Sequence, residues 1–323
     1  MFHTKYSEIM VSERILSQLN EQADSDIKTR GNSIGAQIPP ELADDDWFLS
    51  ISDIAYSYCP SNRYLYLSKV RRIQPSPSWA SYKGKIMDEL IPHIYQKIFD
   101  YSCSLEKVSD WDSISNVKVD LYSFVDEKRE ELSSDGMIDA PRSKAKKNFF
   151  KNIKKLIDYE LLLANSIMYY RISNIFDMNI KSEFNMLFPY DFKLKMRAPE
   201  LGLSGSSEID FIMKKSILGE IKSDKWHSFY NIGLAGYAMA YEYDRKEKAN
   251  LGVVVCPTFL NKYKMPLFNN TANITIINES WRKMFINNRN RRIDLVRTGE
   301  DPGKPDSDES CRTCGYYTEC WGE

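Results

Sequence analysis

Residues 208–222 read EIDFIMKKSILGEIK, and this stretch decides the expected fold. Apolar and polar side chains alternate through it, which predicts two short antiparallel strands joined by a tight turn. With the turn centred at Lys215, Asp210 lies opposite Glu220 on the neighbouring strand. Directly opposed carboxylates repel each other, so the pair requires a cation, and Mg²⁺ or Mn²⁺ suits oxygen ligands best.

The same register places Glu208 opposite Lys222, two residues beyond Glu220. Residues two apart on a strand share a face, so all four polar side chains are expected on one face of the hairpin. We expect Lys222 to orient a water molecule or offset negative charge, and Glu208 to hold the Lys222 ammonium group. The opposite face is expected to be buried through the alternating apolar residues: Ile209, Phe211, Met213, Ile217 and Ile221.

The rest of the chain favours an α/β domain with helices on both sides of a sheet. Residues 1–46 are polar and are expected to be at best partly ordered. Apolar spacing predicts a helix over 83–102, with Pro92 kinking or dividing it. Further helices are expected over 140–180, 226–243 and 280–299, and the runs NLGVVVC and NITIIN are expected to be strands.

Composition excludes some classes of protein. The chain has 323 residues with 42% hydrophobic residues, enough for a sizeable core, and a formal net charge of −1, so nucleic-acid binding would need local basic patches. It contains no run of eighteen apolar residues and starts without a signal-peptide pattern, so we expect a cytoplasmic protein outside the membrane.

Six cysteines in a reducing compartment favour metal or redox chemistry over disulfides. Cys311, Cys314 and Cys320 form a C-x2-C-x5-C pattern near the end of the chain, but a tetrahedral site needs a fourth ligand. Cys256 ends an apolar run, which indicates a buried core thiol.

The acidic pair with the following lysine resembles the PD-(D/E)xK nuclease superfamily. RecB-like nucleases with an iron–sulfur cluster carry one cysteine before the core and three after it, and here Cys59-Pro60 matches the first ligand. Residues 51–323 are similar to the Cas-four type CRISPR-associated exonucleases, most of all to their archaeal type I-A paralogue. The resemblance implies an N-terminal extension over 1–50 and a helical insert over about 97–188, lying above the active site.

The same resemblance implies a 4Fe–4S cluster bound by Cys59, Cys311, Cys314 and Cys320, which would join the two ends of the nuclease domain. A four-cysteine zinc site remains the alternative, because it can use the same ligands.

A further family motif, G-x-x-x-H on a helix, supplies a metal ligand. Gly84 plus four positions is Asp88, whereas His93 lies five positions further, so the third protein ligand is Asp88 or His93. The resemblance also implies that the backbone carbonyl of Ile221 joins the metal site. The family motif Q-x-x-x-Y matches Tyr237, but Gly233 stands at the glutamine position, and this departure favours reduced activity.

The function that follows is metal-dependent hydrolysis of DNA from single-stranded ends, with Asp210, Glu220, Lys222 and Tyr237 as catalytic residues. DNA contacts are expected from residues 142–155 and from the basic helix residues Arg289, Arg291 and Arg292. The resemblance places the protein in CRISPR spacer acquisition, with the integrase and its small partner subunit. A weakly active or inactive DNA-binding partner of that complex, and a stand-alone repair nuclease, remain alternatives.

Overall fold

The computed structural model describes residues 13–43, 48–104, 114–132, 137, 140–174, 191–213, 217–223, 226–260, 267–307 and 311–322. Five strands form one sheet: β1 (Asp191–Met196), β2 (Ser207–Met213), β3 (Ile217–Ile221), β4 (Leu251–Leu260) and β5 (Leu267–Ile276). The longer helices among these residues are α1 (Glu13–Asp26), α4 (Trp79–Ser104), α5 (Ser115–Glu131), α6 (Ser143–Asn174), α7 (Phe229–Arg245) and α8 (Glu279–Thr298).

Short helices carry the segments around the cysteines. They are α2 (Ile51–Ala55), α3 (Arg63–Leu65), which continues as a π-helix over Tyr66–Val70, and α9 (Tyr317–Trp321). Ser50 begins α2 through a capping box with Asp53, in which each side chain accepts a hydrogen bond from the other residue's backbone N–H.

The sheet is mixed, with strand order β1-β2-β3-β4-β5. Only the β3–β4 pair is parallel among the described ladders, and α7 makes the crossover between these two strands. The predicted α/β class with a central mixed sheet is therefore confirmed.

Helices cover both faces of the sheet, as expected. On one face α4, α5 and α6 pack against apolar residues of β2, β3 and β4, including Phe211, Ile217 and Val253. On the other face α2, α7 and α8 pack against residues such as Ile212, Leu218 and Val254. β3 is buried on both faces because it lies in the middle of the sheet.

Two expectations about individual segments need correction. α4 runs undivided through Pro92, so of the two predicted effects of this proline the division of the helix is wrong. The described part of the N-terminal extension is packed rather than loose, since Ala36 is fully buried and Arg30 binds Glu242 of α7 at 2.7 Å. Cys256, by contrast, is a buried strand residue as predicted.

The predicted burial pattern of the hairpin also fails at one position. Phe211, Met213, Ile217 and Ile221 share the core with α4–α6, but Ile209 packs into the core on the other side. Opposite this point, Lys193 of β1 has a φ of 54°, in the left-handed region that non-glycine residues rarely adopt. The regular ladder between β1 and β2 skips Lys193, so strict alternation is broken there.

Candidate active site

The hairpin register is the one that the sequence predicts. Phe211 pairs with Gly219, Ile212 with Leu218 and Met213 with Ile217, all about the predicted centre, while the turn itself lies outside the described residues. Asp210 and Glu220 lie next to the Phe211–Gly219 pair, on the side away from the turn and on adjacent strands. The sheet therefore brings the two carboxylates together at the end of β3.

Asp210 is held from two sides. Its Oδ2 accepts a hydrogen bond from the backbone N–H of Ile221 at 2.7 Å, and its Oδ1 lies 2.9 Å from Nζ of Lys193. Lys193 also lies 3.8 Å from Glu208. Burial opposes its charge, but the neighbouring carboxylates, Asp210 first, raise the pKa of Lys193, so it stays a cation.

Glu220 lies deeper in the protein, with only 1% of its surface exposed. Its Oε1 accepts hydrogen bonds from Lys222, at 2.7 Å, and from the hydroxyl of Tyr56. Burial raises the pKa of Glu220 against the opposing effect of Lys222. The predicted contact between Lys222 and Glu208 is not present among the described ion pairs: Lys222 binds Glu220, and Glu208 lies 3.8 Å from Lys193.

Tyr56 fills the space in front of Gly233. A Cβ atom at Gly233 would lie 3.1 Å from the Tyr56 ring and 3.3 Å from its hydroxyl, so a glutamine cannot enter without displacing Tyr56. Burial, and then the charge of Glu220, raises the pKa of Tyr56 well above its ordinary value, so the phenol remains a hydrogen-bond donor. A tyrosine from the N-terminal side of the domain therefore reaches the carboxylate from the position of the missing glutamine.

Asp88, rather than His93, faces the acidic pair. Burial and the charge of Asp210 raise the pKa of Asp88 to about 6, whereas Lys193 and Lys222 act in the opposite direction. His93 packs on Phe124 of α5, with ring centroids 4.9 Å apart, and its charged neighbours are Lys97, Asp120 and Asp100.

Tyr237 of α7 also faces this acidic group. Burial and the charges of Glu220, Asp210 and Asp88, in that order, raise the pKa of Tyr237 well above its ordinary value. The Ile221 side chain points away into the core, but its backbone N–H binds Asp210, so its main chain belongs to the site.

The residues present fit a hard divalent cation. Asp88, Glu208, Asp210 and Glu220 supply more carboxylates than Lys193 and Lys222 can neutralise. Oε2 of Glu220 is buried and has no hydrogen-bond partner within the described part of the chain, which leaves an oxygen suited to a metal. No three such side chains in the described ranges are arranged as a metal site, and the two lysines bind carboxylate oxygens there.

The four predicted cluster ligands line one cavity of about 630 Å³. Cys59 enters from the segment after α2, and Cys311, Cys314 and Cys320 from the C-terminal segment. Burial raises the pKa of Cys314 and Cys320, and the neighbouring sulfurs add to the effect. Sulfur ligands at one cavity fit an iron–sulfur cluster or a zinc ion by donor type.

Polar contacts join the two segments that carry these cysteines. The Arg63 guanidinium binds Asp301 at 2.8 Å and donates to the carbonyl of Cys320, and the N–H of Ser76 donates to the carbonyl of Gly315. The cavity extends to Lys222 and Tyr230, so the cysteines and the acidic site adjoin the same space.

Comparison with known proteins assigns the family. A family model described as CRISPR-associated exonuclease Csa1 matches residues 10–323. This chain belongs to the Csa1 family. A relative from Thermoproteus tenax, named CRISPR-associated exonuclease Csa1, is 23% identical over 276 residues, which are 84% of each chain. A relative of the same name from Saccharolobus solfataricus is 25% identical over 184 residues, 53% of this chain and 61% of that protein.

The basic helix α8 of this Csa1-family chain does not provide the predicted DNA contacts at two of three positions. Arg289 and Arg292 are buried, at 0% and 1% exposure. Arg289 donates to the carbonyls of Ala36, Gln37 and Leu201, and Arg292 to those of Asp53 and Tyr56. Both residues therefore join α8 to the N-terminal segments. Arg291 is exposed and stays a candidate DNA contact.

The other predicted basic segment is a surface stripe. Lys144, Lys147 and Lys151 are exposed along the first turns of α6, at helical spacing, and Arg142 is exposed just before the helix begins. Two lysines of this segment have protein partners instead: Lys146 donates to the carbonyl of Leu132 at 3.2 Å, and Lys154 binds Asp126 of α5 at 2.6 Å.

Sequence reasoning missed two residues of the Csa1 site, Tyr56 and Lys193. Tyr56 lies three residues before Cys59, the predicted first cluster ligand, and this proximity was the sequence signal that could have identified it. Lys193 itself adopts the left-handed conformation that interrupts the alternation along β1, and the sequence gives no signal for this conformation.

Proposed function

We propose that this Csa1-family chain is a metal-dependent DNA exonuclease that acts on single-stranded ends, and that Asp210, Glu220 and Lys222 form its active site. The carrying observation is that Asp88, Asp210 and Glu220 converge with Lys222 at the end of β3. The names of its relatives describe exonucleases, which supports the reaction class.

In this proposal the residues of the site have different roles, which follow from their positions. Asp88, Asp210 and Glu220 would hold Mg²⁺ or Mn²⁺, together with the main chain of Ile221; His93 faces α5 instead. When bound, such a cation activates water and polarises the scissile phosphate. Lys222, kept protonated beside Glu220, would neutralise charge on the phosphate. Tyr56 and Tyr237 would orient the carboxylates as neutral donors.

Cys59, Cys311, Cys314 and Cys320 would bind a 4Fe–4S cluster with a structural role. The four sulfurs line one cavity, which fits either a zinc ion or a cluster by donor type. The choice of iron rests on the resemblance to the iron–sulfur RecB-like nucleases. Anaerobically purified protein should be brown with broad visible absorption, and Cys59→Ala should lose both colour and solubility. A colourless protein with stoichiometric zinc would refute the iron assignment.

The family name supports an association with CRISPR, and we extend the proposal to CRISPR adaptation. We place the protein in the cytoplasm, trimming DNA fragments before the integrase and its small partner subunit insert them as spacers. No described helix is long and apolar enough to cross a membrane. A pull-down in native salt should recover the integrase, and absence of that association would count against this role.

A second candidate is a DNA-binding partner with little activity. Gly233 in place of the family's glutamine, and Lys193 bound to Asp210, favour it. The two candidates are separated by incubating end-labelled single-stranded DNA with the protein and Mn²⁺, Mg²⁺ or no metal. Stepwise shortening of the DNA that occurs only when a metal is present supports the nuclease. Binding without shortening in every metal supports the binding partner.

A further inference from the structure

A corner of aromatic rings lies beside the acidic site. His227 and Phe229 stack in parallel, with centroids 4.9 Å apart and planes 4° apart. The Tyr58 ring stands nearly perpendicular to both, at 82° to His227 and 78° to Phe229. We call Tyr58, His227 and Phe229 the aromatic corner.

The corner is open to solvent. Tyr58 is 56% exposed, His227 is exposed, and the neighbouring Trp226 is 39% exposed. Large aromatic side chains are usually packed inside proteins, so their exposure together, next to the cavity that Tyr58 lines, suggests a binding surface. Tyr58 and Tyr230 line the same cavity as Lys222.

Direct contacts link the corner to the catalytic residues. The Tyr56 ring lies 5.7 Å from Phe229 and 5.9 Å from Tyr58, and its hydroxyl binds Glu220. Nζ of Lys222 lies 4.8 Å from the centre of the Tyr56 ring. A ligand on the corner would therefore have a cation and the candidate catalytic carboxylates one side chain away.

We propose that the aromatic corner stacks the terminal nucleobase of a single-stranded DNA end, so that the adjoining phosphodiester lies beside Lys222. This inference rests on the proposed nuclease function and names the substrate group that the site recognises. Flat aromatic faces suit a nucleobase because every base offers a π-face, and stacking does not require a particular sequence. A flat floor with a perpendicular wall matches one ring, which favours an end over a continuous duplex.

The test measures binding separately from cleavage. Short single-stranded oligonucleotides carry 2-aminopurine at the 3′ or the 5′ terminus, and matched oligonucleotides carry an abasic terminal nucleotide. Full-length protein is titrated with each in EDTA and in Ca²⁺. We expect quenching of 2-aminopurine at one terminus only, and roughly 10-fold weaker binding of the oligonucleotide that is abasic at that terminus.

Variants assign the effect to the corner. Tyr58→Ala and His227→Ala should bind the intact and abasic oligonucleotides equally, whereas Tyr58→Phe should keep the preference. Tyr243→Ala is the matched control, since Tyr243 lies on the same helix as Phe229 but about 21 Å further along it. Thermal unfolding checks that each variant is folded.

The outcomes separate this inference from the proposed function. If the wild type binds both oligonucleotides equally, or if Tyr58→Ala and His227→Ala keep the preference, the corner is not a base site, whether or not the protein degrades DNA. If the corner discriminates but no metal supports degradation, the base site stands and the nuclease proposal fails. If the wild type binds no DNA, both are wrong.

Discussion

The hydroxyl of Tyr56 donates a hydrogen bond to Oε1 of Glu220, 164 residues further along the chain. The Tyr56 ring occupies the space that a side chain at position 233 would need. A tyrosine from outside α7 thus meets the buried carboxylate, next to the position at which the RecB-like motif would place a glutamine. The Gly233 departure therefore leaves Glu220 with a neutral donor of a different kind.

Removing that hydroxyl should slow the reaction without unfolding the protein. Tyr56→Phe keeps the ring against Phe229 but loses the donor to a charged group, and we expect a rate roughly 10-fold lower with Mn²⁺. Tyr64→Phe is the control, because its hydroxyl donates to the carbonyl of Asp53 away from the carboxylates. Equal rates for Tyr56→Phe and the wild type would show that the Tyr56 hydroxyl does not contribute to the reaction.

Substitutions of Asp88 and of His93 should have different effects on the Mn²⁺ requirement. Asp88→Asn should weaken Mn²⁺ binding strongly, because one oxygen ligand loses its charge. The Mn²⁺ concentration that gives the half-maximal rate should therefore rise. His93→Gln should leave that concentration unchanged, since His93 packs on Phe124. A titration of rate against Mn²⁺ decides, and the reversed result would make His93 the ligand.

Arg289 and Arg291 should separate stability from DNA binding. Arg289→Ala leaves three carbonyls without their donor and should lower the free energy of unfolding by about 3 kcal/mol. Arg291→Ala should leave stability unchanged but weaken DNA binding, with the salt dependence reduced by about one phosphate contact. Denaturant unfolding and a salt series measure the two effects. If Arg291→Ala binds DNA like the wild type at every salt concentration, α8 has no phosphate contact there.

Glu279 should make stability depend on pH. Burial opposes its charge, but hydrogen bonds from the backbone and side chain of Thr29 and the backbone of Lys28 lower the pKa of Glu279 to about 2. A lowered pKa in the folded state adds stability above the ordinary pKa, which is lost as pH falls from about 4.5 towards 2. Glu279→Gln should therefore cost about 1–2 kcal/mol at pH 7 and little at pH 2. A pH-independent difference would contradict this.

The hairpin was predictable because strand periodicity fixes both register and face, and the register holds over 211–219. The contact between Tyr56 and Glu220 was not predictable, because it depends on tertiary packing across the domain. The sequence did contain a signal for the burial of Arg289 and Arg292, but the charge of these two side chains indicated a surface position instead. They continue a stripe at spacings of three and four residues that is buried along α8: Arg282, Phe285, Arg289, Arg292 and Val296.

The most direct measurement is degradation of end-labelled single-stranded DNA with Mn²⁺ by the wild type, Asp210→Ala, Glu220→Ala and Lys222→Ala. Glu130→Ala, an exposed acid on α5, is the matched control. The account predicts that the wild type and the control shorten the DNA, and that each site variant is slower by roughly 100-fold or more while still folded. Equal degradation by all three site variants, or a wild type that binds DNA but is inert with every divalent metal, would contradict it.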